Sequence, residues 1–198
     1  AKEIYDEVAF MYEERHPGMF CSMLTLEGSK LIHGGAPSLP REYCEAINGI
    51  EIGPNIGSCG TAAFTGQRVL VEDINIDTKW ANIKHHALPH GLRSCWSEPV
   101  KNASGQVLGA FGMYYKHPAL PDNDEILDLV SAVRLVSIIM DRDNNLKRIK
   151  ELAYTDELTG LASRAQLYLS LRSLINTSKT HNESFILIYL DLDNFKNI

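Results

Sequence analysis

Apolar residues Ile4, Val8, Met11 and Tyr12 recur at helical spacing, which predicts an amphipathic helix over residues 2–15, ended by Pro17-Gly18. Beyond it the apolar period shortens. Met19 to Leu26 reads as a strand, Glu27-Gly28-Ser29 as a turn and Lys30 to Gly34 as the partner strand. The loop from Pro37 to Pro40 leads to a short helix around Arg41 to Ile47 and a brief strand at Ile50-Glu51-Ile52. Gly53 to Gly66 reads as a glycine-rich turn feeding a short helix of small residues, which lets helix backbone approach a sheet closely. Val69-Leu70-Val71 is a buried strand. Trp80, Ile83 and Ala87 predict a helix from about Thr78 to His90, capped by Gly91. Leu92 to Val100 and Gln106 to Tyr115 are strands joined by a turn at Asn102-Ala103-Ser104-Gly105.

From Asp122 the pattern changes to one long helix. Asp124 and Glu125 occupy its first turn, where the helix dipole favours acids. Ile126, Leu129, Val133, Val136 and Met140 form one stripe. Ile139, Leu146, Ile149 and Ala153 form a second, displaced across Asp141-Arg142-Asp143 as a coiled-coil stutter would displace it. Asp122 to Ala153 spans about 48 Å at ~1.5 Å per residue. The polar insert from Asp141 to Asn145 marks the junction between a compact domain and a helical linker. Further on, the apolar run Ile186 to Leu190 predicts a buried strand that ends in Asp191 and Asp193 on one face. Paired carboxylates there are hard oxygen ligands suited to Mg²⁺, and Lys196 suits a phosphate.

Two resemblances follow from these residues. Asp156, Leu158, Thr159, Gly160, Leu161 and Arg164 match Asp-x-Leu-Thr-Gly-Leu-x-Asn-Arg, the opening signature of GGDEF domains, the diguanylate cyclase family; Ser163 stands where that signature has Asn. Asp191, Asp193, Phe195, Lys196 and Ile198 match its second signature, Asp-x-Asp-x-Phe-Lys-x-Ile. The resemblance implies that Asp191 and the Leu192 carbonyl bind Mg²⁺, and that Lys196 with backbone groups of Asn194 and Phe195 contacts GTP phosphates. It assigns Asp156 and Arg164 to the entry turn rather than to chemistry, with Asp156 placed to cap the following helix. Earlier in the chain, the order of elements, Gly57-x-Cys59-Gly60-Thr61-Ala62 and Gly105-x-Val107-Leu108-Gly109 resemble a GAF domain over roughly residues 1–140. The fold class expected is therefore α+β and α/β: a GAF-like antiparallel sheet flanked by helices (1–140), a helical linker (141–154) and the start of a GGDEF domain (155–198).

The GAF resemblance implies a pocket for a small molecule, which the sequence does not identify. We expect it against the sheet face covered by the Thr78–His90 helix and the Cys59–Thr65 helix, with Cys59, Trp80, Cys95 and Trp96 as its candidate residues. Asn55 to Thr61 lacks the Gly-Lys-Ser/Thr ending of a phosphate loop and reads as a tight turn on the sheet. His86 and His90, four apart, have a usable metal spacing, but no cysteine or carboxylate accompanies them on that helix; they are assigned to the surface or pocket lining. Haem ligation is the alternative, since GAF domains include haem sensors. The Cys59 motif also resembles the free methionine sulfoxide reductases, which carry a further catalytic cysteine before the late strands. Here Asn75 to His90 holds none, and Cys95 comes later, on a predicted strand.

Composition narrows the class. With 44% hydrophobic and 22% charged residues the chain can bury a core, and a net charge of −6 argues against a nucleic-acid binder. No apolar run is long enough to span a membrane. The four cysteines are scattered without a Cys-x-x-Cys pair, which predicts free thiols in a reducing cytoplasm. The first expectation is a cytoplasmic homodimeric sensor enzyme that condenses two GTP into cyclic di-GMP. Its dimer interface is expected at Ile4–Tyr12 and Ile126–Met140. The chain supplies only the first strand of the cyclase domain, so by itself it is expected to be inactive. The alternatives are a non-catalytic ligand-binding or dimerising GAF module with a degenerate GGDEF tail, and a GAF-type methionine sulfoxide reductase.

Overall fold

The computed structural model describes residues 2–156, 158–181, 184–188 and 190. The chain divides into two compact units, 1–143 and 144–198.

The first unit is built on six antiparallel strands in the order β3-β2-β1-β6-β5-β4. These are β1 (Phe20–Glu27), β2 (Lys30–Gly35), β3 (Ile50–Glu51), β4 (Val69–Val71), β5 (Ser94–Lys101) and β6 (Val107–Tyr115). Strand alternation divides β6 cleanly: Ala110 and Tyr114 belong to one core, Phe111, Met113 and Tyr115 to the other. The first core is covered by α2 (Arg41–Ile47), α3 (Gly57–Thr65) and α4 (Lys84–Ala87). The second is covered by α1 (Lys2–Arg15) and the start of α5 (Asn123–Tyr154).

On α1 the inward residues are Tyr5, Val8, Ala9 and Tyr12, whereas Ile4 and Met11 are exposed. The apolar stripe is thus rotated from the expected one. Close approach explains the rotation: Ala9 is fully buried, and a side chain on Gly35 would collide with the Asp6 backbone at 2.8 Å. The end of α1 is tied down by carboxylates. Glu13 accepts from the Cys21 amide (2.7 Å) and the Ser38 hydroxyl (2.5 Å), and burial pushes its carboxyl up against those hydrogen bonds. Buried Asp128 on α5 meets His16 at 2.7 Å and Arg15 at 3.2 Å.

Val136 and Met140 of α5 are buried on the chain's own sheet beside Leu129 and Ala132. They are therefore not available as the dimer seam expected at Ile126–Met140; Leu127, Leu135 and Ile138 are the exposed large apolar residues of this stretch. The single helix expected from Thr78 to His90 is three short turns: a 3₁₀ turn at Thr78–Trp80, α4, and a second 3₁₀ turn at Leu88–His90. Pro89 lacks an amide and obstructs a continuous helix there. Asp77 caps the first turn by accepting from Lys79 N, and Gly91 closes the last with φ +77°.

The β1–β6 pairing gives a sharp prediction. A Cβ on Gly109 would lie 2.1 Å from the Leu24 carbonyl oxygen. Gly109→Ala is expected to destabilise the first unit by about 1–3 kcal/mol, through forced separation of the central strands. Urea denaturation followed by circular dichroism measures it, and an unchanged midpoint would contradict the close approach.

In the second unit, Thr155 and Ala162 form an isolated bridge around the turn 156–161, and α6 (Arg164–His181) follows. Asp156 closes that turn, accepting from Thr159 N (2.9 Å) and its hydroxyl (2.7 Å). It does not cap α6. Ser163 does: its hydroxyl accepts from Gln166 N at 3.3 Å and donates to the Ala153 carbonyl at 2.8 Å. Serine and asparagine are comparable caps, so Ser163 keeps the helix start despite differing from the expected signature. The strand expected at Ile186–Leu190 is not formed among the described residues: Ile186, Ile188 and Leu190 are exposed and no described strand pairs with them. An apolar strand needs such partners to bury its faces. No helix among the described residues is long and apolar enough to cross a membrane.

Candidate functional site: a small cavity over a buried thiol and tyrosine cluster

The sheet face beneath α2 and α3 borders a half-open cavity of about 20 Å³. Leu24, Leu31, Ile47, Ile56 and Ile83 supply apolar walls; Ser58, Cys59, Trp80, Tyr43 and Tyr114 supply polar edges. Among the described residues, no acidic or basic side chain lines it. That volume holds one or two water-sized molecules.

The local sequence explains the arrangement. Gly57 begins α3 with φ +60°, and a side chain there would strike Ile83 at 2.7 Å. The fully buried Ala62 then lets α3 lie on β5 and β6. On β6, Gly112 leaves the space that the Cys59 sulfur occupies, since a Cβ there would meet that sulfur at 2.8 Å.

The polar groups form a chain. Trp80 Nε1 donates to Ser58 Oγ at 3.1 Å, and Ser58 Oγ donates to the Cys95 carbonyl at 2.9 Å. Three longer contacts converge on the Tyr114 hydroxyl: Ser22 Oγ at 3.4 Å, Tyr43 OH at 3.5 Å and Cys59 Sγ at 3.6 Å. Burial pushes both tyrosine hydroxyls well above their ordinary range, so they stay neutral at physiological pH. Hydrogen bonding from Cys95, with help from Ser97, Tyr114 and Ser22, holds the Cys59 thiol below its ordinary range against the effect of burial. Burial pushes Cys95 well above its own.

Of the four residues singled out for the pocket, Cys59 and Trp80 line this cavity. Cys95 faces the same core, behind Cys59. Trp96 lies on the opposite face of the sheet, where its ring meets Tyr115 edge-on at 5.5 Å and its Nε1 donates to the Ala119 carbonyl at 2.9 Å. Consecutive strand residues point to opposite faces, so Cys95 and Trp96 cannot share one pocket. Tyr43, Ser58 and Tyr114 escaped the sequence reading. The parity of Tyr114 with Cys95, its cross-strand partner, was the signal that could have found it.

His85 is exposed, while His86 and His90 are half-buried on separate turns rather than on one helix face. The His90 ring lies 6.4 Å from that of Tyr43. Among the described residues, no group of three or more His, Cys, Asp or Glu side chains is placed to hold a metal. The nucleotide and metal residues named from the second signature, Asp191, Leu192, Asn194, Phe195 and Lys196, lie outside the described residues.

Residues 6–141 match the family model for the GAF domain, and residues 153–198 match that for the diguanylate cyclase GGDEF domain. The methyl sulfide methyltransferase-associated sensor of Methanosarcina acetivorans is 36% identical over 141 residues, which cover 70% of this chain and 14% of that protein. The probable diguanylate cyclase DgcE of Escherichia coli is 30% identical over 93 residues, 46% of this chain and 8% of that protein. The chain thus spans a small part of each relative's length. Among solved structures, the free methionine-R-sulfoxide reductase of Neisseria meningitidis aligns with a TM-score of 0.60 at 16% identity, covering 73% of this chain and 80% of that one. At that identity the likeness shows a shared fold.

Proposed function

Because the chain belongs to the GAF domain family, we propose that it is the sensor and the opening of the output domain of a diguanylate cyclase. In this reading residues 1–140 bind a signal, 141–154 transmit it, and 155–198 begin the domain that joins two GTP into cyclic di-GMP. One observation supports it above others: the GAF match at 6–141 and the GGDEF match at 153–198 occur in one chain, with helix α5, Asn123–Tyr154, running across the join. The sensor ligand is small and uncharged, in keeping with walls that carry no ionic side chain. Its entry widens the cavity, with half-buried Ile56 and Ile83 as the side chains that yield.

In the output domain, Lys196 and the backbone amides of Asn194 and Phe195 hold phosphate oxygens. The Asp191 carboxylate and the Leu192 carbonyl offer only oxygen donors, the set that suits Mg²⁺. When bound, that ion offsets charge on the α-phosphoryl group under attack by a ribose 3′-oxygen. Because the product is two-fold, two chains meet as a homodimer, in the cytoplasm where GTP is supplied.

The test is to incubate the longer protein with GTP and Mg²⁺ and resolve cyclic di-GMP by chromatography. Asp191→Ala is expected to reduce its formation on the order of 10²–10³-fold, as when a key electrostatic contact to a transition state is removed. Absence of product from the unsubstituted protein would favour a non-catalytic ligand-binding or dimerising module instead.

A further inference from the structure

We propose that the cavity beneath α2 and α3 selects a neutral molecule of a few heavy atoms that carries a carbonyl-type oxygen, and that the Tyr43 and Tyr114 hydroxyls are the donors that read it. This rests on the sensor reading above and narrows it, from a small uncharged ligand to one that bears a hydrogen-bond acceptor. One observation carries it: the buried hydroxyls at the cavity wall have more protons than acceptors.

Ser22, Tyr43 and Tyr114 bring one hydroxyl proton each. Two oxygen-to-oxygen contacts join them, Ser22 to Tyr114 at 3.4 Å and Tyr43 to Tyr114 at 3.5 Å. Each contact consumes one proton whichever group donates, so one hydroxyl proton is left over. The remaining neighbour of the Tyr114 hydroxyl is the Cys59 sulfur at 3.6 Å, a weak acceptor. Both oxygen contacts are also longer than the ~2.7–2.8 Å of an ordinary O–H···O bond. Among the described residues, no carbonyl or carboxylate oxygen accepts from either tyrosine hydroxyl. Ser58 gives no relief, because it accepts from Trp80 and spends its own proton on the Cys95 carbonyl. Tyr43 and Tyr114 are each 1% exposed, so bulk water does not satisfy them, and both line the cavity. A ligand oxygen placed there recovers what an unpaired buried donor costs. A hydrocarbon leaves the donor unpaired, and an ammonium group adds donors where they are already in surplus. A carboxylate brings the acceptor but also a charge that no basic side chain of the lining offsets. The volume of about 20 Å³ admits the acceptor atom, and the apolar remainder of the ligand takes the space opened at Ile56 and Ile83.

The experiment titrates the ¹⁵N-labelled full chain with three probes of one shape: acetone, isobutene, which lacks the acceptor, and acetate, which adds charge. Amide shifts of α3 and β6 are followed by NMR. Acetone is expected to saturate them with an affinity about tenfold above that of isobutene, the worth of one hydrogen bond, and acetate to leave them unmoved. Tyr114→Phe is expected to weaken acetone about tenfold and to leave isobutene unchanged, a split that a merely structural role would not produce. Tyr43→Phe repeats the comparison should Tyr114→Phe lose its thermal transition. Equal affinities for acetone and isobutene in the unsubstituted chain would overturn the acceptor selection and leave the small uncharged ligand standing. Tighter binding of acetate than of acetone would overturn both. So would the absence of a saturable shift with every probe, which would mean that the cavity holds water only.

Discussion

Replacing Trp80 by alanine is expected to lower the unfolding free energy of the first unit by about 3–5 kcal/mol, the range for deleting a large buried aromatic side chain. Trp80 is 2% exposed, sits in the short 3₁₀ turn Thr78–Trp80 and reaches Ser58 on α3. Its ring lines the existing cavity, so truncation enlarges a void already present in a close-packed interior. Trp80→Phe separates shape from hydrogen bonding. It keeps most of the ring volume and loses the bond to Ser58, whose hydroxyl still donates to the Cys95 carbonyl. A smaller loss of about 0.5–1.5 kcal/mol is expected there. Urea denaturation measures both, and Trp96, the other tryptophan, remains as the fluorescent reporter. Equal losses for the two variants would show that the ring's volume is not what stabilises this face.

The same residue shows what the sequence could and could not convey. Strand positions were legible because alternation is local: the pairing of β1 with β2 and of β5 with β6 follows from apolar runs and the turns between them. The segment from Thr78 to His90 was misread because Trp80, Ile83 and Ala87 happen to fall at helical spacing. Their burial is instead set by short turns, with Asp77 capping the first and the Asp73–Arg93 pair, at 2.7 Å, anchoring the segment's two ends. Trp96 was misplaced by treating size as a guide to the pocket, when parity with its neighbour decides the face. The tyrosine cluster was invisible for another reason. Tyr43 and Tyr114 are 71 residues apart, and only the packing of α2 on the assembled sheet brings their rings to 5.9 Å. Of the cyclase-like segment, the signature reading gave Asp156 a capping role because it precedes a helix; the hydrogen bonds give that role to Ser163.

Aspartate at Val136 is expected to abolish folding of the first unit, whereas aspartate at Ile138 is expected to leave it folded. The two positions lie on opposite sides of α5, since two residues at ~100° each turn the side chain by about 200°. Val136 is 0% exposed within the core shared with Leu129, Met140 and Phe111; Ile138 is 68% exposed. A carboxylate at Val136 enters an apolar face without a basic partner in that cluster, and desolvation of an unpaired charge costs several kcal/mol. That is a large share of the roughly 5–15 kcal/mol that keeps a typical domain folded. At Ile138 the same change alters stability by no more than about 0.5 kcal/mol, because the new charge meets water. The contrast also sharpens the proposed homodimer. In that proposal α5 offers the second chain its outer row rather than the inward stripe; there Leu127 is 63% exposed and lies almost in line with Ile138 along the helix. Leu127→Asp combined with Ile138→Asp is therefore expected to convert a dimer to a monomer in ultracentrifugation, with the thermal transition retained. A folded, cooperative Val136→Asp protein would refute the inward assignment of α5. An unchanged dimer mass in the double variant would remove the outer row from the interface.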